Sequence, residues 1–190
     1  MTKQSKTVAR ARAVAPTVTL TDTAYKTMRE YVNQCQYEVS GLGKVEKDAD
    51  GYKVTEIVVL KQSVTGTTTD IDTDALAKFQ HELVTKGEDV GAWWCWWHSH
   101  VNMSVFWSRR DLDTIDDSTD FKQLLSIVTN KADEYRVRID TFEPRLYMDN
   151  LNILIEQPET DSAIVEHCKS ELASKVCHAA PVMGYKSKYT

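Results

Sequence analysis

The chain carries His98-Ser99-His100, then seven residues, then Ser108, two more residues and Asp111. No other feature limits the fold as tightly. Residues two apart in a strand project to the same face. His98 and His100 therefore act together only if a strand runs through both to its end. Ser108 and Asp111 read as the opening of a helix. A strand end, a seven-residue loop and a helix start must then meet at one point. Glu38, sixty residues upstream of His98, supplies a carboxylate from a separate segment.

The surrounding pattern is that of alternating helices and strands. Thr21 or Asp22 caps a helix running to about Gln34, with Tyr25, Met28 and Val32 on one buried face. Residues 38–45 read as a strand in which Gly41 and Gly43 permit a bulge or the close approach of another group. A turn at 48–51 leads to a β-branched strand over 52–63, then a polar stretch over 65–72. A second helix is expected over 73–86, closed by Gly87, followed by an aromatic strand over 91–100. Strands follow at 123–129, 135–142 and 146–156, and a C-terminal helix at 161–178. Helices interleaved with strands predict an α/β fold, a sheet covered on its faces by helices. No repeat or low-complexity linker divides the chain, so one domain is expected over residues 20–156. A basic, mobile arm (1–19) precedes it, and a C-terminal helix and tail (157–190) pack on it.

Two imidazoles and one carboxylate make an incomplete metal shell. That donor set suits zinc, with a fourth position open to water, which is the catalytic pattern rather than the closed structural one. In the expected strand, Trp94 and Trp96 share the histidines' face and wall the site, while Trp93, Cys95 and Trp97 face the opposite layer. Each piece also has a plainer reading. Ser108-x-x-Asp111 fits a helix capping box, and Glu38 alone is an ordinary strand-start carboxylate. The combination at one strand end and one helix start is what points to a metal.

The pattern Glu38 … His98-Ser99-His100-x7-Ser108-x2-Asp111 resembles the JAMM (MPN+) zinc metalloprotease motif at every position. The flanking Glu38-Val39-Ser40-Gly41-Leu42-Gly43, Trp97-His98-Ser99-His100 and Phe106-Trp107-Ser108 are similar to short single-domain members from prokaryotes and their phages, over roughly residues 20–155. The resemblance implies a cytidine-deaminase-like three-layer α/β/α sandwich around a mixed sheet. It implies Zn2+ held by His98, His100 and Asp111, and Glu38 as the general base that later protonates the leaving amine. Ser108 becomes an oxyanion donor, and Ser99 supports the strand from its other face. The implied activity is a zinc-dependent peptidase or isopeptidase. The implied partner is a protein or peptide substrate: the C-terminal tail of a ubiquitin-like or sulfur-carrier-like protein or, in a phage or bacterial version, a structural, tail or defence protein or a peptidoglycan peptide. The rival is a non-catalytic interaction scaffold. A deaminase is disfavoured because its His-x-Glu and Pro-Cys-x-x-Cys signatures are absent.

Other features carry less. His167-Cys168 and Cys177-His178 mirror one another, but on a straight helix they stand about 14–15 Å apart, too far to share a metal. The acids from Asp111 to Asp120 lack a calcium loop's glycine and terminal glutamate and read as a solvated face. Arg109 and Arg110 either meet a substrate carboxylate or face water. With 23 basic and 28 acidic residues, net charge −5, nucleic acid is not a favoured partner. Apolar runs are too short for a membrane helix. The basic opening lacks the apolar core of a signal peptide, so a cytoplasmic location with Cys35, Cys95, Cys168 and Cys177 reduced is expected.

Overall fold

The computed structural model describes residues 15–156 and 162–179. The first fourteen residues of the expected arm and the tail from Pro181 lie outside them. Thr17–Leu20, at the inner end of that arm, form strand β1 instead. Its Val18 and Leu20 are fully buried between two parallel neighbours, which is why so short a basic-flanked segment becomes an inner strand.

Thr21 caps α1 (Asp22–Gln34), its side chain accepting the Ala24 N–H at 3.2 Å. The buried face is Ala24, Met28, Tyr31 and Val32. Tyr25 sits at its margin, with its hydroxyl donating to Asp133. β2 (Ser40–Asp48) pairs antiparallel with β3 (Gly51–Val58), with a register shift between Lys44 and Val45. The single strand expected over 52–63 is broken. β3 ends at Val58, and β4 (Gln62–Val64) joins β5 (Thr69–Ile71) in a separate small sheet. Asp72 caps α2 (Thr73–Thr85), accepting the Ala75 N–H at 3.0 Å, and Gly87 at φ 72° follows it.

The aromatic strand is shorter than expected. Val90–Ala92 make a 3-10 turn, and β6 runs only over Cys95–Ser99. That turn breaks the parity expected for the first two tryptophans. Trp93 meets Phe79 of α2 edge-on, while Trp94 joins Tyr52 and the core under α1. Trp96 and Trp97, inside β6, keep the expected faces: Trp96 stacks on His98, and Trp97 stacks on Tyr31 of α1.

After α3 (Arg109–Asp117) come β7 (Gln123–Thr129), β8 (Tyr135–Phe142) and β9 (Arg145–Asp149). The strand expected over 146–156 divides. Asn150 takes φ 55°, and the chain crosses to the opposite edge of the sheet as β10 (Ile153–Ile155), parallel to β1. The main sheet is mixed, ordered β10-β1-β3-β2-β6-β7-β8-β9. β6 lies inside it, antiparallel to β2 and parallel to β7. α4 (Ser162–Lys175) packs with α1, and the expected helix ends three residues short as β11 (Val176–His178), parallel to β4. The fold is thus α/β, as expected. No helix among the described residues is long and apolar enough to cross a membrane.

Candidate metal centre

β6 is buried on both sides, so its end is rigidly placed. His100 lies one residue beyond the strand, yet its N–H still donates to Thr129 O at 2.8 Å, continuing the ladder with β7. His98 and His100 therefore project together, with their Nε2 atoms 3.2 Å apart. Val101 then adopts φ 50°, a costly conformation for a branched residue, and turns the chain away from the sheet. The loop returns at Ser108, the N-cap of α3. Asp111 Oδ1 stands 3.3 Å from His98 Nε2, and its Oδ2 3.6 Å from His100 Nε2. Among the described residues these three form a group able to hold a metal ion, with all ligand atoms within 4.8 Å of one another.

The capping box and the candidate ligand group coexist. Asp111 Oδ2 accepts the Ser108 N–H at 2.7 Å, and Ser108 Oγ accepts the Asp111 N–H at 3.2 Å. The box orients the carboxylate whose other oxygen faces His98. His100 Nδ1 lies 3.0 Å from Ser104 O. A carbonyl only accepts, so Nδ1 carries the proton and the Nε2 lone pair faces the group. Trp96 stacks on the His98 ring at 4.5 Å, and Phe106 meets His100 edge-on at 4.7 Å.

Burial lowers the pKa of His98, keeping it neutral. Burial works against ionisation of Asp111, but the adjacent His100 and His98 rings outweigh it and hold the carboxyl well below its usual range. For His100 burial opposes the proton, and the contacts with Asp111 and Ser104 overcome it, raising its pKa. Glu38, 5% exposed, is pushed up to about 7, chiefly by burial and then modulated by the charges of His100, Asp111 and Arg110. The Glu38 carboxylate is thus electrostatically coupled to the ligand group, and it has no hydrogen-bond partner among the described residues. It lies two residues before β2 rather than in a strand. Ser99 holds that segment: its Oγ accepts the Val39 N–H at 3.3 Å, and its N–H donates to Val39 O at 2.9 Å.

Sequence reasoning missed three supports. Gln62, buried, donates to Ser40 O at 2.8 Å and accepts the Ser40 N–H at 3.0 Å, clamping β2 opposite His98. Asn130 donates to Met103 O at 2.9 Å and pins the loop between the ligands. Trp107 Nε1–H donates to Asp149 at 2.9 Å, and Arg136 holds that aspartate at 2.6 Å. A lone glutamine inside a β-branched run was the one visible signal. Arg110 pairs with Asp70 of β5, and Arg109 with Asp113. Asp113, Asp116, Asp117 and Asp120 are exposed, matching the solvated-face reading. His167, Cys168, Cys177 and His178 do not converge: Cys168 is buried against Thr27 and Cys177 is exposed.

The fold and this group define a mixed α/β protein with a candidate metal centre at the end of an inner strand. No protein-family model matches the chain. No curated protein matches its sequence. Among solved structures the chain is similar to a protein of Desulfitobacterium hafniense determined in solution, with TM-score 0.55 and 16% identity, spanning 77% of this chain and 97% of that one. At that identity the likeness concerns the fold alone.

Proposed function

We propose that this chain is a zinc-dependent peptidase or isopeptidase of the JAMM type, built on the cytidine-deaminase-like α/β/α arrangement. The observation that carries the reading is the convergence of His98, His100 and Asp111, to which the buried Glu38 is electrostatically coupled. Tetrahedral zinc sites with bonds of about 2.0–2.1 Å set neighbouring ligand atoms roughly 3.3–3.4 Å apart. The two Nε2 atoms are 3.2 Å apart and Asp111 Oδ1 is 3.3 Å from His98 Nε2, and with one ligand atom per residue the three lie within 4.8 Å of one another. Two imidazole nitrogens converging on one carboxylate make a donor set suited to a cation. Zinc held there supplies Lewis acidity, polarising a substrate carbonyl and lowering the pKa of water.

The chain's own residues do the rest. Glu38, with a pKa near 7, accepts a proton from the attacking water. It returns that proton to the nitrogen as the amide C–N bond breaks. Ser108 Oγ already accepts the Asp111 N–H, so its own O–H proton is free to donate to the developing oxyanion. The substrate class is a protein or peptide amide, with ubiquitin-like or sulfur-carrier-like tails the first to try. The test is zinc per chain by elemental mass spectrometry, on protein purified without a histidine tag or added metal. A value near one that collapses in His100→Ala supports the reading, with Glu38→Gln retaining zinc and losing hydrolysis. A value near zero that persists after zinc addition overturns it in favour of an interaction scaffold.

A further inference from the structure

A crevice of about 240 Å3 opens between the main sheet and α2, α3 and β5. Leu42, Ile71, Leu76, Trp93, Trp96 and Leu124 form its walls. The crevice is partly open to solvent, and its mostly apolar walls suit an apolar side chain. Its position ties it to the metal centre. Trp96, one of its walls, stacks on His98 with centroids 4.5 Å apart and planes 21° apart. Ser40, at its rim, is the register partner of His98. Asp70, also at the rim, is gripped at 2.8 and 3.0 Å by Arg110, the residue before Asp111.

We infer that this crevice is a side-chain subsite, taking a large apolar residue of the leucine or phenylalanine class that flanks the cleaved amide. The inference rests on the peptidase reading. The volume falls below the roughly 300–1,000 Å3 of pockets that hold whole small molecules, so one side chain fits it better than a cofactor. Asp70 is the charged group in the lining, and Arg110 already satisfies it, so a charged side chain would find no partner there. Burying such an apolar side chain is worth about tenfold to a hundredfold in affinity.

The test has two arms. In the first, the full chain, with and without zinc, is titrated with N-acetyl-leucinamide, N-acetyl-phenylalaninamide and N-acetyl-alaninamide. The indole N–H resonances of Trp93 and Trp96 are followed by NMR. Saturable shifts are expected for the first two, at least about tenfold tighter than for alanine, and lost in Leu42→Trp and in Thr114→Phe. Equal or absent shifts overturn the subsite. In the second arm, the zinc-loaded chain is given a peptide library. Cleavage beside large apolar residues is expected, with kcat/KM for those peptides falling about tenfold to a hundredfold in Thr114→Phe at unchanged zinc content. Cleavage without that preference overturns the subsite and leaves the peptidase reading standing. If nothing is cleaved, the peptidase reading fails, and the titration alone decides whether the crevice binds apolar side chains.

Discussion

Asp111 serves two masters, and substitution separates them. Its Oδ2 closes the capping box on Ser108 while its Oδ1 faces His98. Asparagine keeps an oxygen for the box but loses the charge, whereas alanine loses both. Both variants should lose zinc by elemental analysis. In chelator, Asp111→Asn should remain about 0.5–1 kcal/mol more stable than Asp111→Ala to urea. Glu38 gives a pH signature. Its pKa rises from the ordinary carboxylate range to about 7 on folding, chiefly through burial. The folded state therefore favours the proton. No penalty exists at pH 4, where both states are protonated; it grows as pH climbs and is complete above about 7. Glu38→Gln, which mimics the neutral acid, should stabilise metal-free protein by about 1–3 kcal/mol at pH 8 and leave it unchanged at pH 4, read from denaturant midpoints.

At the scale of elements, β2 and β6 form the frame that fixes the site, and Gly41 is where they crowd. A Cβ there would lie 1.9 Å from Val58 O and 2.8 Å from Trp97 Nε1. Gly41→Ala should cost about 2–4 kcal/mol in thermal or urea unfolding, because backbone of β3 has to shift. It should also weaken zinc retention, since Glu38 and the strand opposite His98 move with β2. The elements legible in the sequence were those whose periodicity is local. α1, α2, β7 and β8 fall close to where their apolar spacing and caps put them. The broken strands were not legible. Residues 59–61 and 150–152 carry no glycine or proline, and what ends β3 and β9 is the sheet each neighbour joins. The Trp93–Trp94 parity failed for a similar reason, since a 3-10 turn stabilised by Asp89 leaves no mark on alternation.

For the whole molecule, the proposed metal binding should share one equilibrium with folding. The ligands come from β6, the residue after it and the first turn of α3, so the unfolded chain does not hold them together. Zinc at about a thousand times its dissociation constant should add about 4 kcal/mol of stability. For a chain of this size that corresponds to roughly 8–16 °C in Tm. Differential scanning of zinc-loaded, chelated and His98→Ala protein checks it: the chelator should lower the first to the second and leave the variant unmoved. The sheet order makes this coupling strong, because β6 is flanked by β2 and β7 and cannot fray without opening the core.

The sequence by itself determined the α/β class and the three donors of the ligand group. A two-residue spacing in a strand and a cap-to-N3 spacing in a helix are local geometry, and both held at these positions: the ladder with β7 continues through His100 and the capping box forms at Ser108. Tertiary structure alone decided that these two local units meet, since only the packing of α3 against the sheet brings Asp111 within 3.3 Å of His98. It also decided what surrounds them: the burial that raises Glu38, the Gln62 and Asn130 clamps, and the crevice behind Trp96. Those depend on residues far apart in the chain, brought together by strand order and by which face of the sheet each helix covers.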